Sequence, residues 1–216
     1  MNIIFLLILI AIVSYVVAGV NGSIITSKLV YHKDVRNYGS RNPGLTNYYR
    51  TFGKNTVIIV ILVDILKALI PVLVSGYVVE MAGEWSTAED RVFFGRLFAG
   101  FFAMLGHCYP VFYKFKGGKG VLTGGTVTIM LDWRIALMVW GVFIITVALT
   151  RYVSLGSVLA GIGYPVGFFM AGYRDYWVLA VLSGGLVVWR HRDNIKRLLK
   201  GEERKFSFKR NPSDMP

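Results

Sequence analysis

The chain alternates between long apolar runs and short polar segments from its start to about residue 189. Residues 3–20 carry no charged side chain, and further apolar stretches cover 57–79, 97–113, 120–131, 135–150, 152–172 and 176–189. A helix crossing a hydrocarbon core of about 30 Å needs roughly 17–25 apolar residues. The pattern therefore predicts an all-α, polytopic membrane protein of about seven transmembrane helices, with the short run at 120–131 forming a partial or re-entrant helix. The first run reads as a retained helix, because no Lys or Arg precedes it and a polar motif beginning at Gly22 follows without a spacer.

Charge sorts the connections into two kinds. Lys28, Lys33, Arg36, Arg41, Arg50 and Lys54 lie between the first and second runs, and Lys114, Lys116 and Lys119 between the third and fourth. Arg151 separates the fifth from the sixth, and the segment after Trp189 is densely basic. The remaining connections are acidic or balanced: Glu80, Glu84, Glu89 and Asp90 with Arg91 and Arg96, then Asp132 with Arg134, then Arg174 with Asp175. By the positive-inside rule the amino terminus is outside and the carboxyl terminus cytoplasmic, an alternation that seven spans satisfy and six do not. One membrane domain over 1–205 is expected, followed by a basic, disordered tail at 206–216.

Composition narrows the chemistry. Of 216 residues 55% are hydrophobic, yet the formal net charge is +12. The single cysteine, Cys108, excludes an intrachain disulfide and a thiolate cluster, and the histidines His32, His107 and His191 have no helical ligand spacing, so no metal or other cofactor is expected. Nucleic acid is not an expected partner; the basic face suits anionic lipid.

The unusual polar sequence falls in four places, all on the predicted cytoplasmic side. Lys116-Gly-Gly-Lys-Gly120 precedes an apolar helix, where backbone N–H groups and the positive helix end favour an anion such as phosphate; a flexible basic turn fits equally well. Gly39-Ser-Arg-Asn-Pro-Gly-Leu-Thr-Asn47, with Arg50 beyond it, offers hydroxyls, amides and a guanidinium fork, though read alone it is a turn capped by Thr46 or Asn47. In Arg151-Tyr-Val-Ser-Leu-Gly-Ser157 the two serines share a helix face, where Ser154 suits close packing. His191 and Asn194 have the same spacing, and Asp64 with Lys67 reads as a structural ion pair within an apolar run. His107, Cys108 and Tyr109 are placed to support the glycine loop.

Taken in order, these stretches together with Gly22-Ser-Ile24, Arg50-Thr-Phe-Gly-Lys54, His107-Cys-Tyr-Pro-Val-Phe112, Phe115-Lys-Gly-Gly-Lys-Gly-Val121 and His191 to Gly201 resemble the PlsY family of membrane acyl-phosphate:glycerol-3-phosphate acyltransferases. The resemblance implies seven helices in a bacterial inner membrane and a cytoplasmic active site. There an acyl group passes from acyl phosphate to the 1-hydroxyl of glycerol 3-phosphate, giving lysophosphatidic acid and phosphate. It assigns catalytic roles to Ser40, Arg50, Lys119 and His191, and substrate binding to Asn42, Thr46, Asn47, Gly117, Gly118, Gly120, Ser157 and Asn194. Membrane lipid and the soluble enzyme that forms acyl phosphate become expected partners. The family usually has Gly at Arg41, Ala at Leu45 and Glu at Asp193. The first two departures set a specialised or inactive paralogue beside the main reading, and an anion transporter is the rival from another class.

Overall fold

The computed structural model describes residues 2–83 and 85–207. It is helical throughout, with no strand among the described residues: α1 (Ile3–Ala18), α2 (Gly22–Tyr31), α3 (Leu45–Phe52), α4 (Val57–Met81), α5 (Ala88–Cys108), α6 (Val121–Leu131), α7 (Trp133–Thr150), α8 (Val153–Met170), α9 (Trp177–Arg190) and α10 (Arg192–Leu199).

Among the described residues, five helical stretches are long and apolar enough to cross a membrane: 3–31, 57–81, 88–113, 133–150 and 153–170. The sequence pattern predicts seven, and the difference lies in two short helices. The 11 residues of α6 rise only about 16 Å at 1.5 Å each, and α9 has 14 residues. Packed among α4, α5 and α7, with Thr123 to Thr128 buried, α6 is shielded by protein over most of its surface. That is the condition under which a helix end is tolerated at membrane depth.

The first span also departs from expectation. The polar motif beginning at Gly22 is itself helical and forms α2, separated from α1 by a break at residues 19–21. Asn21 caps α2 by accepting from Ile24 N–H at 2.9 Å, and its amide donates to Pro43 O at 3.1 Å, pinning the 39–47 segment to the break. α3 begins after Gly44 with no side-chain cap, so Thr46 and Asn47 do not serve as caps.

The outer surface is apolar like the core, unlike that of a soluble bundle, and polar side chains are mixed into the interior. Ile4, Leu62, Ile145 and Leu149 are among many large apolar side chains facing outward, whereas Ser14, Ser23, Thr26, Thr123 and Thr128 are buried between helices. Small residues allow the helices to approach: a Cβ on Gly106 would strike the backbone at Tyr15, and one on Gly184 the carbonyl of Gly161. The expected basic tail lies, from residue 208, outside the described residues. Before it, residues 202–206 fold back over the bundle, and Phe206 N–H donates to Arg151 O at 2.6 Å.

Candidate active site

At the end of the bundle where α4, α6 and α8 begin and α5, α7 and α9 finish, a cavity of about 420 Å³ gathers residues from all four polar motifs. Ser40, Asn42, Thr46, Asn47 and Arg50 line one side; Lys119 and Gly120 another; Ser154 and Ser157 a third; His191 and Asn194 the fourth. Residues more than a hundred positions apart thus meet because each motif sits at a helix terminus on one side of the bundle.

Lys119 forms the centre. Its Nζ donates to Asn194 Oδ1 at 2.5 Å, and burial, opposed by the nearby Glu203 carboxylate, brings its pKa down to about 8. His191 Nδ1 lies 2.7 Å from Val187 O. A carbonyl can only accept, so Nδ1 carries the proton and Nε2 holds the lone pair. Burial, and then the charge of Lys119, lower this imidazole to about 4, so it is neutral at physiological pH. Ser157 donates to Val153 O at 2.8 Å and keeps its oxygen lone pairs for another partner.

The structure redistributes three of the expected roles. Gly117 and Gly118 do not line the cavity, and their N–H groups are spent on Cys108 O at 3.3 Å and His107 O at 3.1 Å. The amides left to face an anion are those of Gly120, Val121 and Leu122 at the start of α6, all cavity-lining residues. Asn47 borders the cavity, but both hydrogens of its amide go to Val35 O and Tyr38 O, and its Oδ1 accepts from Ser40 N–H at 2.9 Å. It shapes the turn that presents Ser40. Ser154, expected as a packing residue, donates to Glu203 Oε1 at 2.8 Å.

Glu203 is one of two residues that sequence reasoning missed. Its carboxylate, with a side chain 9% exposed, accepts from Ser154, from Asn194 Nδ2 at 2.7 Å and from Arg197 Nε at 2.7 Å. Burial alone pushes this carboxyl up, but the three hydrogen bonds outweigh it and its pKa is lowered. Nearby, Arg50 donates to the carbonyls of Arg204 and Lys205 at 3.3 and 3.4 Å. Arg190 was missed as well: its guanidinium donates to Gly118 O and Gly117 O, both at 3.0 Å, and lies 4.8 Å from the centre of the Tyr109 ring. A basic residue at a helix end reads in sequence as an interfacial anchor, and only the fold shows it clamping the glycine loop.

The departures at Arg41 and Asp193 flank this site, and the Asp193 charge reaches Lys119. Both side chains are exposed and neither borders the cavity, whereas Leu45 does. Arg41 has φ of 59°, the left-handed region where glycine is easiest. A second cavity of about 40 Å³ continues from the first past Gly120, Trp140 and Ser157 into an apolar space bounded by Val139, Ala160 and Gly161.

Residues 8–201 match the family described as glycerol-3-phosphate acyltransferase. The glycerol-3-phosphate acyltransferase of Clostridioides difficile (strain 630) is 38% identical over 212 residues, 96% of this chain and 98% of that protein. That of Prochlorococcus marinus (strain MIT 9312) is 36% identical over 203 residues, 93% of this chain and 98% of that one. The crystal structure of PlsY, an integral membrane glycerol 3-phosphate acyltransferase, in its glycerol 3-phosphate form is similar with a TM-score of 0.82 and 35% identity, covering 93% of this chain and 96% of that chain. Its lysophosphatidic acid form gives 0.79 and 33%, with 94% and 96% covered.

Proposed function

The chain belongs to the glycerol-3-phosphate acyltransferase family, a multi-pass membrane enzyme family, and we propose that it transfers a fatty acyl group from acyl phosphate to the 1-hydroxyl of glycerol 3-phosphate. Lysophosphatidic acid and phosphate are the products. The observation that carries this reading is the convergence of Arg50, Lys119, Ser40, Ser157, His191 and Asn194 on one cavity that continues into an apolar recess. Two phosphate-bearing substrates, one with a fatty chain, need such a combination of cations, hydroxyls and apolar wall.

The donor phosphate lies against Lys119 and the first amides of α6, with its acyl chain along Val139 and Ala160. Glycerol 3-phosphate is held by Arg50, Ser40, Ser157 and Asn194. Its 1-hydroxyl oxygen attacks the acyl carbon, the bond from that carbon to the phosphate oxygen breaks, and phosphate departs with the bonding pair. The hydroxyl proton passes to the departing phosphate or to His191 Nε2, a neutral acceptor at working pH. Acyl phosphate is already activated, so close placement and charge stabilisation supply the rate without a covalent acyl-enzyme.

In this reading the cavity faces the cytoplasm of a bacterial inner membrane, with the amino terminus outside, the carboxyl terminus inside, and α6 and α9 completing seven crossings. The soluble enzyme that makes acyl phosphate delivers its product at this face. Purified protein in lipid or detergent, given palmitoyl phosphate, should release phosphate only when glycerol 3-phosphate is present, with lysophosphatidic acid formed in equal amount. Acceptor-independent release, or a labelled acyl group trapped on the protein, would sink the scheme.

A further inference from the structure

Asp64 and Lys67 lie one turn apart on α4, 2% and 5% exposed, with Asp64 Oδ1 2.8 Å from Lys67 Nζ. The break between α1 and α2 explains two of their contacts. Lys67 Nζ donates to Val20 O at 2.6 Å, and Gly22 N–H donates to Asp64 Oδ1 at 3.2 Å. Each of these backbone groups is freed by the break and would otherwise be unsatisfied at membrane depth.

The third contact is not needed to close that break. Lys67 Nζ lies 2.8 Å from His107 Nδ1, in the last turn of α5, so the ammonium's three hydrogens have three partners: Val20 O, Asp64 and His107. The His107 ring in turn lies directly beneath Gly118, where any Cβ would collide with Nε2. Its carbonyl receives Gly118 N–H, and the next carbonyl, of Cys108, receives Gly117 N–H. Asp64 and His107 also border the inner end of the main cavity.

We propose that Asp64, Lys67 and His107 form a positioning chain that fixes the height of the glycine loop, and through it Lys119 and the first amides of α6, against the phosphoryl group of the donor. The proposal rests on the reading of the donor as an acyl phosphate bound at that loop. Asp64 orients the ammonium, the ammonium fixes the rotation of the imidazole, and the imidazole sets the floor on which Gly118 rests. A buried charge in this chain is held by its partners at fixed distances, so a displacement at α4 is transmitted to the loop rather than absorbed by solvent.

The double variant Asp64→Asn, Lys67→Met removes both charges together and leaves no orphan charge in the core. His107→Ala keeps the ion pair, vacates the ring beneath Gly118 and takes away one of the three partners of the Lys67 ammonium. In protein that remains folded, both should raise the KM for palmitoyl phosphate by roughly ten- to a hundredfold, leave the KM for glycerol 3-phosphate unchanged, and speed amide exchange over residues 117–122. A purely structural role would lower thermal stability while moving both KM values together or neither, and that result overturns the proposal. If the double variant does not fold, His107→Ala decides by the same criteria. If wild-type protein releases no phosphate from palmitoyl phosphate, the assigned reaction fails, and the exchange rates at 117–122 alone judge the positioning chain.

Discussion

Replacing Glu203 tests the organisation of the site most directly. Alanine at this position deprives Ser154 and Asn194, 6% and 7% exposed, of the acceptor they share, and frees Arg197. Each buried donor left without a partner costs about 1–3 kcal/mol, and the partly exposed Arg197 contributes less, about 0.5 kcal/mol after screening. Because the bonds share one carboxylate they are not additive, and a total of roughly 2–4 kcal/mol is expected. Glutamine keeps an oxygen for Ser154 and Asn194 and loses only the Arg197 bond, so it should cost about 1 kcal/mol or less. The consequence for turnover follows from Asn194, whose amide is held by Glu203 on one side and receives Lys119 on the other. Once released, the amide can rotate and Lys119 loses its fixed place, which should lower turnover by roughly a hundredfold in Glu203→Ala. Thermal unfolding and acceptor-dependent phosphate release on both variants check this. Folded Glu203→Ala with wild-type turnover, or Glu203→Gln as impaired as Glu203→Ala, would refute the reasoning. The lowered carboxyl pKa adds a sign: its stabilising contribution is fully present above the unfolded value of about 4.3 and disappears as pH falls through the lower folded value. Glu203→Gln should therefore flatten that part of the acid unfolding curve.

Lys119, with a pKa near 8, loses its charge as pH rises through that value, so the KM for the donor should climb above about pH 8. Lys119→Arg keeps the charge and should abolish the climb; an unchanged pH profile in that variant would separate Lys119 from donor binding. Arg190→Lys can reach only one of the two loop carbonyls that the guanidinium fork holds, and the loss of one charged bond of about 1.5 kcal/mol should raise the donor KM by about tenfold. Arg41→Gly should raise stability by about 0.5 kcal/mol, the left-handed strain relieved less the added chain entropy, with turnover unchanged because the side chain lies outside the cavity. Val139→Phe should fill the apolar recess and shift preference towards shorter acyl phosphates, read as the ratio of kcat/KM for two chain lengths.

The periodic apolar runs were enough to expect a helical membrane protein, and the polar motifs were enough to name most of the residues that meet at the cavity. What they could not supply was connectivity at the ends of helices. The break at residues 19–21 shows in hydropathy only as the end of the first apolar run, and nothing in that pattern says that the polar motif from Gly22 resumes as a helix. Glycines 117 and 118 read as amides facing an anion, yet only the packing of α5 against the loop reveals that those amides turn inward to Cys108 and His107. Glu203 stands in a charged stretch after the last apolar run, where a solvated carboxylate is the default, and it becomes buried because residues 202–206 return to Arg50 and Arg151. Asp64 and Lys67 are the reverse case: charges inside an apolar run were conspicuous, and the ion pair expected there is present at 2.8 Å.

These particulars share one physical origin. Each polar motif is placed where a helix starts or stops, and a helix terminus inside a membrane protein is the one place where backbone donors and acceptors remain unspent. The same termini that need internal partners for stability can therefore bind an anionic ligand, and the chain divides the two tasks between neighbouring residues. Gly117, Gly118 and Asn47 satisfy the backbone, while Gly120, Lys119 and Ser40 border the cavity in which the proposed ligand would lie. On this argument exchanging residues within a motif should be as damaging as deleting them. Gly118→Ala, which drives a methyl group into the His107 ring, should abolish donor binding although the residue touches no substrate.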